Sequence, residues 1–303
     1  MSSAKGSGMI GAGSAALRNL VGGSIGRRKP APSDSTSHRQ ALADDSINTI
    51  IEGEIIPRLL MAHALENHRE QPRPDREIRQ SEAERFAVLP LRLEAPGLFE
   101  EVQAFIAQGV SIEAIYIDLL APAARRLGEL WESDDCDFIE VTMGLWRLQE
   151  VMREVSARVP ATPAIPAEDA PRALFAAMPG DQHNFGPMIM DDVFARAGWD
   201  TVMLLHPLRK EVLDSLSREP FDVVGLTLSR DCPSAALTNV IKAMRSVSCN
   251  PHLSILVGGR MINQNPAIVA EVGADGTGAD ARAALEVARA LVQSAEVRAH
   301  TLK

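Results

Sequence analysis

From residue 44 onward the apolar positions fall into helical registers. Ile47, Ile50, Ile51, Ile55, Ile56, Leu59 and Leu60 recur three and four residues apart, behind Asp45 and Ser46 as N-cap residues. Pro57 is expected to kink or split that helix, and His63 and His68 follow on its far end. A polar stretch from Glu70 to Gln80, carrying Pro72 and Pro74, reads as a loop. Helical spacing resumes over 82–93, 97–108, 111–130 and 137–155. Four or five helices on short loops predict a bundle. Beyond Pro160 the rhythm changes. Apolar runs at Ala173–Met178, Thr201–Leu205, Val223–Leu228 and Leu253–Val257, with a weak fifth near Ala274–Gly276, alternate with helical patterns near 187–198, 209–218, 233–247, 264–271 and 279–294. Strands this apolar are buried on both faces, which calls for helices on both sides of a parallel sheet. The predicted class is α/β: an N-terminal helical bundle followed by a doubly wound, Rossmann-like or flavodoxin-like parallel-sheet domain.

Composition adds boundaries. Residues 1–43 are rich in Gly, Ser, Ala and Arg, with Arg27-Arg28-Lys29-Pro30, and cannot bury enough surface to offset the entropy of ordering. They are expected to form a disordered, mildly basic tail. The bundle then spans 44–159, a Pro-rich linker 160–171, the sheet domain 172–295 and a short tail 296–303. Formal net charge is −9, so the chain is not built to coat nucleic acid. Its three cysteines, Cys136, Cys232 and Cys249, lack Cys-x-x-Cys spacing and read as reduced thiols. Cys136 lies among Glu132, Asp134, Asp135 and Asp137, which disfavour a thiolate. No apolar run reaches bilayer length and no clean signal core is visible, so a cytoplasmic location away from membranes is expected.

The candidate chemistry sits in one loop. Gly180-Asp181-Gln182-His183-Asn184-Phe185-Gly186 follows the first predicted strand and precedes a predicted helix. In open α/β sheets, ligands bind at such carboxyl-edge loops. Asp and His on a loop are usually solvated surface groups, and it is the strand–loop–helix placement that sets this pair apart. Two further strand ends belong to the same edge: Thr227 and Ser229 close the third strand, and Gly258-Gly259 closes the fourth. His206, before Pro207, also lies at this edge and is expected to face solvent.

The pattern Asp181-x-His183-x-x-Gly186, with the later Gly258-Gly259, resembles the cobalamin-binding domains of corrinoid enzymes and sensors. That resemblance implies cobalamin as cofactor, with His183 as the axial metal ligand in place of the cofactor's own base. Asp181 would take the other ring N–H, fixing the tautomer. Gly186, Gly258 and Gly259 would let the nucleotide tail pass close to backbone, and Thr227 or Ser229, where relatives carry Ser-x-Leu, would hydrogen-bond the benzimidazole. Leu127-Gly128-Glu129-Leu130-Trp131 resembles the bundle segment that lays an aromatic over the upper face, making Trp131 a cofactor-binding residue. Adenosylcobalamin light sensors carry Glu-His ten and eleven residues after that Trp. This chain has Val141 and Thr142 there, with Glu140 one residue early, which leaves the upper ligand open.

Within corrinoid proteins, Ile51 to His63, Trp131 to Thr142 and the run to Arg147-Leu148-Gln149 are similar to the AerR/PpaA group, cobalamin-binding regulators of photosynthesis genes in purple bacteria. The similarity covers about residues 44–294. It implies a light-responsive transcriptional regulator of antirepressor type rather than an enzyme, whose partner is a repressor protein of photosynthesis genes. Any contact with DNA would be indirect, since no helix-turn-helix signature is visible. The competing class is a corrinoid carrier subunit of a methyltransferase system, which shares bundle and sheet. Whether adenosyl- or hydroxocobalamin is bound, and the oligomeric state, stay open.

Overall fold

The computed structural model describes residues 76–161, 166–229 and 232–301. The expected tail of 1–43, the helix from Ile47 to Leu60, His63 and His68 lie outside the described residues. The bundle consists of α1 (Gln80–Ala87), a 3₁₀ turn (Leu89–Leu91), α2 (Ala95–Ala107), α3 (Ile112–Ala114), α4 (Ala121–Glu132) and α5 (Phe138–Arg158). The first helical pattern stops short of residue 93 because Pro90 cannot donate to the helix ladder. The predicted helix 111–130 is continuous but not uniform: Ile115–Leu120 is a π turn between α3 and α4. Pro122 has no N–H for the carbonyl of Asp118, and the ladder widens just ahead of it, with the Ala121 N–H on the Tyr116 carbonyl five residues back. Ser111 caps the run, its hydroxyl accepting the Ala114 N–H at 3.2 Å. At α5, Asp137 and Glu140 exchange side-chain and backbone hydrogen bonds of 2.8 Å each, a capping box.

The sheet is all parallel, in the order β2-β1-β3-β4, with β1 at Arg172–Ala177, β2 at Asp200–Leu204, β3 at Val223–Thr227 and β4 at Ser254–Gly258. The helices are α6 (Phe185–Arg196), α7 (Arg209–Arg218), α8 (Ser234–Val247), α9 (Arg260–Gln264), α10 (Ile268–Val272) and α11 (Ala281–Thr301). Alternate residues of each strand feed two cores. Leu174, Ala176, Val224, Leu226, Ile255 and Val257 pack with α7 and α8. Ala173, Phe175, Val223 and Leu256 pack with α6 and α11, and that core continues into the bundle through Tyr116, Leu127 and Leu148. Phe175, opposite Gly225 in register, fills the space a side chain there would need, and it stacks edge-on against Phe194 at 4.7 Å.

Three expectations need correction. The second strand is half-buried throughout rather than buried on both faces, because it is the sheet's edge. The weak fifth strand is a single bridge, Leu256 to Gly276, since Gly276 leads directly into the turn before α11. The last helix also runs past residue 295, to Thr301. No described helix is long and apolar enough to cross a membrane.

Bundle and sheet are joined by polar as well as apolar contacts. Tyr116 is fully buried with its hydroxyl 3.0 Å from Ser156 Oγ, and Ser156 donates to Asp192 on α6. Arg196 binds the same Asp192 and reaches the Val159 carbonyl at 2.7 Å. Burial, and then the Asp192 charge, push the Tyr116 phenol up to about 12, so it stays a neutral hydrogen-bonding group. On α11, Arg282 meets Glu113 at 2.7 Å and Asp118 at 3.3 Å.

Candidate functional site

The strand order reverses direction at β1: the chain steps to β2 on one side, then crosses to β3 on the other. This switch point is where a doubly wound sheet leaves a crevice at its carboxyl edge. The Asp181–His183 loop leaves β1 here. Gly180, at φ +92°, makes the turn, and the Asp181 N–H donates to the Met178 carbonyl at 2.7 Å.

Asp181 is buried and saturated with donors. Its Oδ1 accepts the His183 ring Nδ1–H at 2.5 Å and the His183 backbone N–H at 3.1 Å. Its Oδ2 accepts the Ser229 backbone N–H at 3.1 Å, tying the first loop to the end of β3. Burial alone would raise the Asp181 carboxyl. The donors from the His183 ring, the His183 backbone and Ser229 outweigh it and hold the group below the usual carboxylate range. The His183 side chain is 51% exposed against 8% for Asp181, so the imidazole projects from the loop while its partner anchors it. With Nδ1 on Asp181, Nε2 is the ring nitrogen that would coordinate a metal.

Around this pair the structure separates roles that the sequence left joined. Ser229 acts through its backbone, holding Asp181, whereas the Thr227 hydroxyl is buried without a hydrogen-bond partner. Gly186 is the second residue of α6. A Cβ there would make only ordinary contact with Thr227, at 3.5 Å, so packing within the chain does not demand the glycine. Gly259 differs from Gly258. It has φ +94° and a Cβ would lie 2.5 Å from the Leu228 carbonyl oxygen, whereas a Cβ on Gly258 would meet only the Gly278 carbonyl, at 3.9 Å. Gly259 is required by the backbone, and Gly258 leaves open space.

Trp131 is not core. It ends α4 45% exposed, edge-on to Phe138 at 6.1 Å. Its neighbour Glu132 pairs with Arg260, the residue after Gly259, at 2.7 Å. That ion pair brings the end of α4 to the carboxyl edge of the sheet. Of the two positions where light sensors carry Glu-His, Val141 is packed in the bundle and the Thr142 hydroxyl donates to the Phe138 carbonyl at 2.6 Å. Cys136 is buried. Burial first, then Glu140, Asp137 and Asp135, push its thiol up, in line with the reading of its acidic neighbours.

Several residues of this edge were not singled out from the sequence. Asn184 is buried, and its Nδ2 lies 2.9 Å from the ring nitrogens of His206, which is exposed but takes φ +47° against the loop rather than standing apart from it. Thr277, between Gly276 and Gly278, holds a second buried hydroxyl without a partner. Cys232 lies close enough that, after burial, the Asp181 charge raises its thiol. The flanking glycines were the available signal for Thr277, while Asn184 lay unremarked within the loop already picked out and Cys232 was read only as a reduced thiol.

Residues 83–156, within the helical bundle, match the family model described as B12 binding domain. The chain is 25% identical over 178 residues, 59% of this chain and 90% of the relative, to the "Uncharacterized 20.5 kDa protein in bchF-crtJ intergenic region" of Rhodobacter capsulatus. Its fold is similar to that of the monomethylamine corrinoid protein of Methanosarcina barkeri, with TM-score 0.57 and 15% identity over 69% of this chain and 96% of that one.

The residues present fit the cofactor. A buried hydroxyl left unpaired costs about 1–3 kcal/mol, and Thr227 and Thr277 carry two of them on the carboxyl side of the sheet. Bound cobalamin would be held by His183 at its metal, and acceptors on its tail would satisfy the Thr227 and Thr277 hydroxyls. Thr227→Val tests this with two opposite signs. Without cofactor the variant is expected to be as stable as the parent, or more stable by about 1 kcal/mol, because an unpaired polar group is removed. Its cobalamin affinity is expected to fall roughly tenfold for a lost hydrogen bond. Urea unfolding and equilibrium titration read the two effects.

Proposed function

We propose that this chain is a cobalamin-responsive transcriptional regulator that acts in the cytoplasm by protein contact, with no catalytic step of its own. The observation that carries the reading is the Asp181–His183 pair, anchored across the switch point to Ser229. The relative encoded between bchF and crtJ, in a photosynthesis gene cluster, supports the regulatory half. A repressor of photosynthesis genes is the partner we infer, and illumination the signal.

The physics is linkage. Cofactor held by His183 from the sheet side and Trp131 from the bundle side favours one arrangement of the two halves, and a partner that binds that arrangement better is recruited in proportion to its differential affinity. Glu132–Arg260 is the ion pair at this seam, exposed on both sides, so it contributes little stability by itself and can exchange at small cost.

A second reading, the corrinoid carrier of a methyl-transfer system, is favoured by the fold shared with the monomethylamine corrinoid protein. Comparing transcripts in the host separates the two. A regulator predicts that His183→Ala alters pigment-gene transcripts as a deletion does, and alters them differently in light and dark. Unchanged transcripts, together with lost growth on a methylated substrate, would decide for the carrier.

A further inference from the structure

Helix α5 is apolar on two opposite sides. Val141, Gly144, Leu148, Val151, Met152 and Val155 face the core. At about 100° per residue, Ile139, Met143 and Trp146 fall on the far side, as one stripe spaced i, i+4, i+7. They are 69%, 38% and 47% exposed. Single exposed apolar residues need no explanation, but an outward stripe of three large ones, next to exposed Phe138, is a patch that calls for a partner. The stripe is not the wall of the cofactor crevice. On the helix wheel it lies about 100° round from Phe138, the residue that touches Trp131.

Charge selects the occupant. At the amino end of the stripe stand Asp134, Asp135, Asp137 and Glu140, all exposed. Asp137 and Glu140 serve the capping box, and Asp135 accepts from the Ser133 hydroxyl at 2.6 Å. Among the described residues none of these four forms an ion pair, whereas the acids further along α5, Glu150 and Glu154, are paired with Arg153 and Arg158. Burial first, and then the charges of Glu140, Asp137 and Asp135, raise the Cys136 thiol beside them. A second copy would bring the same acidic end to the contact, and an anionic membrane or nucleic acid would be repelled.

We propose that Ile139, Met143 and Trp146 form a docking face for an amphipathic helix of a partner protein, its apolar ridge flanked by lysine or arginine. This face is separate from the cobalamin crevice, so it stands or falls independently of the cofactor reading.

The test uses the full chain and a fluorescent helical peptide of about 16 residues, long enough to hold a helix, with leucines at i, i+4 and i+7 and lysines on both flanks. The same peptide with glutamates for lysines is the control. The lysine peptide is expected to bind at moderate salt and the glutamate peptide not to. Ile139→Ser and Trp146→Ser should each weaken binding about tenfold, as for a central apolar contact. Asp134→Asn with Asp135→Asn should weaken it several-fold and flatten its salt dependence. All four positions are exposed, so the fold is retained, and an unchanged cobalamin spectrum in the serine variants shows that the crevice is intact. Equal binding of both peptides, no binding of the lysine peptide, or undiminished binding to the serine variants would overturn the proposal. So would sedimentation showing a wild-type dimer that Trp146→Ser dissociates, since the face would then join two copies of the chain.

Discussion

Gly259→Ala is expected to destabilise the protein by about 2–4 kcal/mol, combining the strain of a side chain in a left-handed region with a backbone clash that no rotamer relieves. The alanine Cβ would lie 2.5 Å from the Leu228 oxygen and 2.8 Å from its nitrogen. Leu228 is also bonded to this turn from both directions: its N–H donates to the Gly258 carbonyl at 2.8 Å, and its carbonyl accepts the Met261 N–H at 3.3 Å. Displacing it moves Ser229 and the N–H that holds Asp181, so stability and cofactor binding should fall together. Gly258→Ala is the contrasting substitution. Its Cβ has room, so the urea midpoint should move little, while cobalamin affinity drops if the cofactor's tail runs past it. A pair of unfolding curves and two titrations decide it. Equal stability losses at the two glycines would show that both serve only the backbone.

Asp181→Asn is the second large effect, expected to cost 10–100-fold in cobalamin affinity, roughly the usual toll of removing the carboxylate behind a ligating histidine. The amide retains the shape but loses the charge that accepts from the His183 ring and from two backbone N–H groups. Stability carries a matching pH signature. Because the folded-state carboxyl is depressed, its contribution is complete above the ordinary carboxylate range. That contribution is lost as pH falls through the depressed value. Acid unfolding of the wild type should therefore include a component below the ordinary carboxylate range that Asp181→Asn lacks. An identical acid limb in the variant would remove Asp181 from that role.

Much of this was legible in the chain because local rules set it. Alternation of apolar runs with helical patterns gave all four strands within a residue or two, and helical spacing from residue 137 gave the start of α5. The Asp181–His183–Gly186 loop was visible because its spacing is local and its place follows from the strand before it. Features set by the third dimension were not. Helical periodicity hides the π turn at Ile115–Leu120, whose cue is Pro122. The edge position of β2 depends on strand order, which no single strand encodes. The pairing of Glu132 with Arg260 and the chain Tyr116–Ser156–Asp192 join residues far apart in sequence. The division of labour between Thr227 and Ser229, or Gly258 and Gly259, turns on which atom faces the crevice. Chain position alone does not say.

We propose that His183 ligates a bound corrinoid. Visible spectra of the purified full chain, supplied separately with hydroxocobalamin and adenosylcobalamin, in the dark and after illumination, beside His183→Ala, test this. Wild type is expected to retain corrinoid with a spectrum of histidine ligation. His183→Ala, folded because that side chain is half exposed, is expected to lose both the spectrum and most of the affinity. Wild type that retains neither form, or a variant whose spectrum matches the wild type, would contradict it.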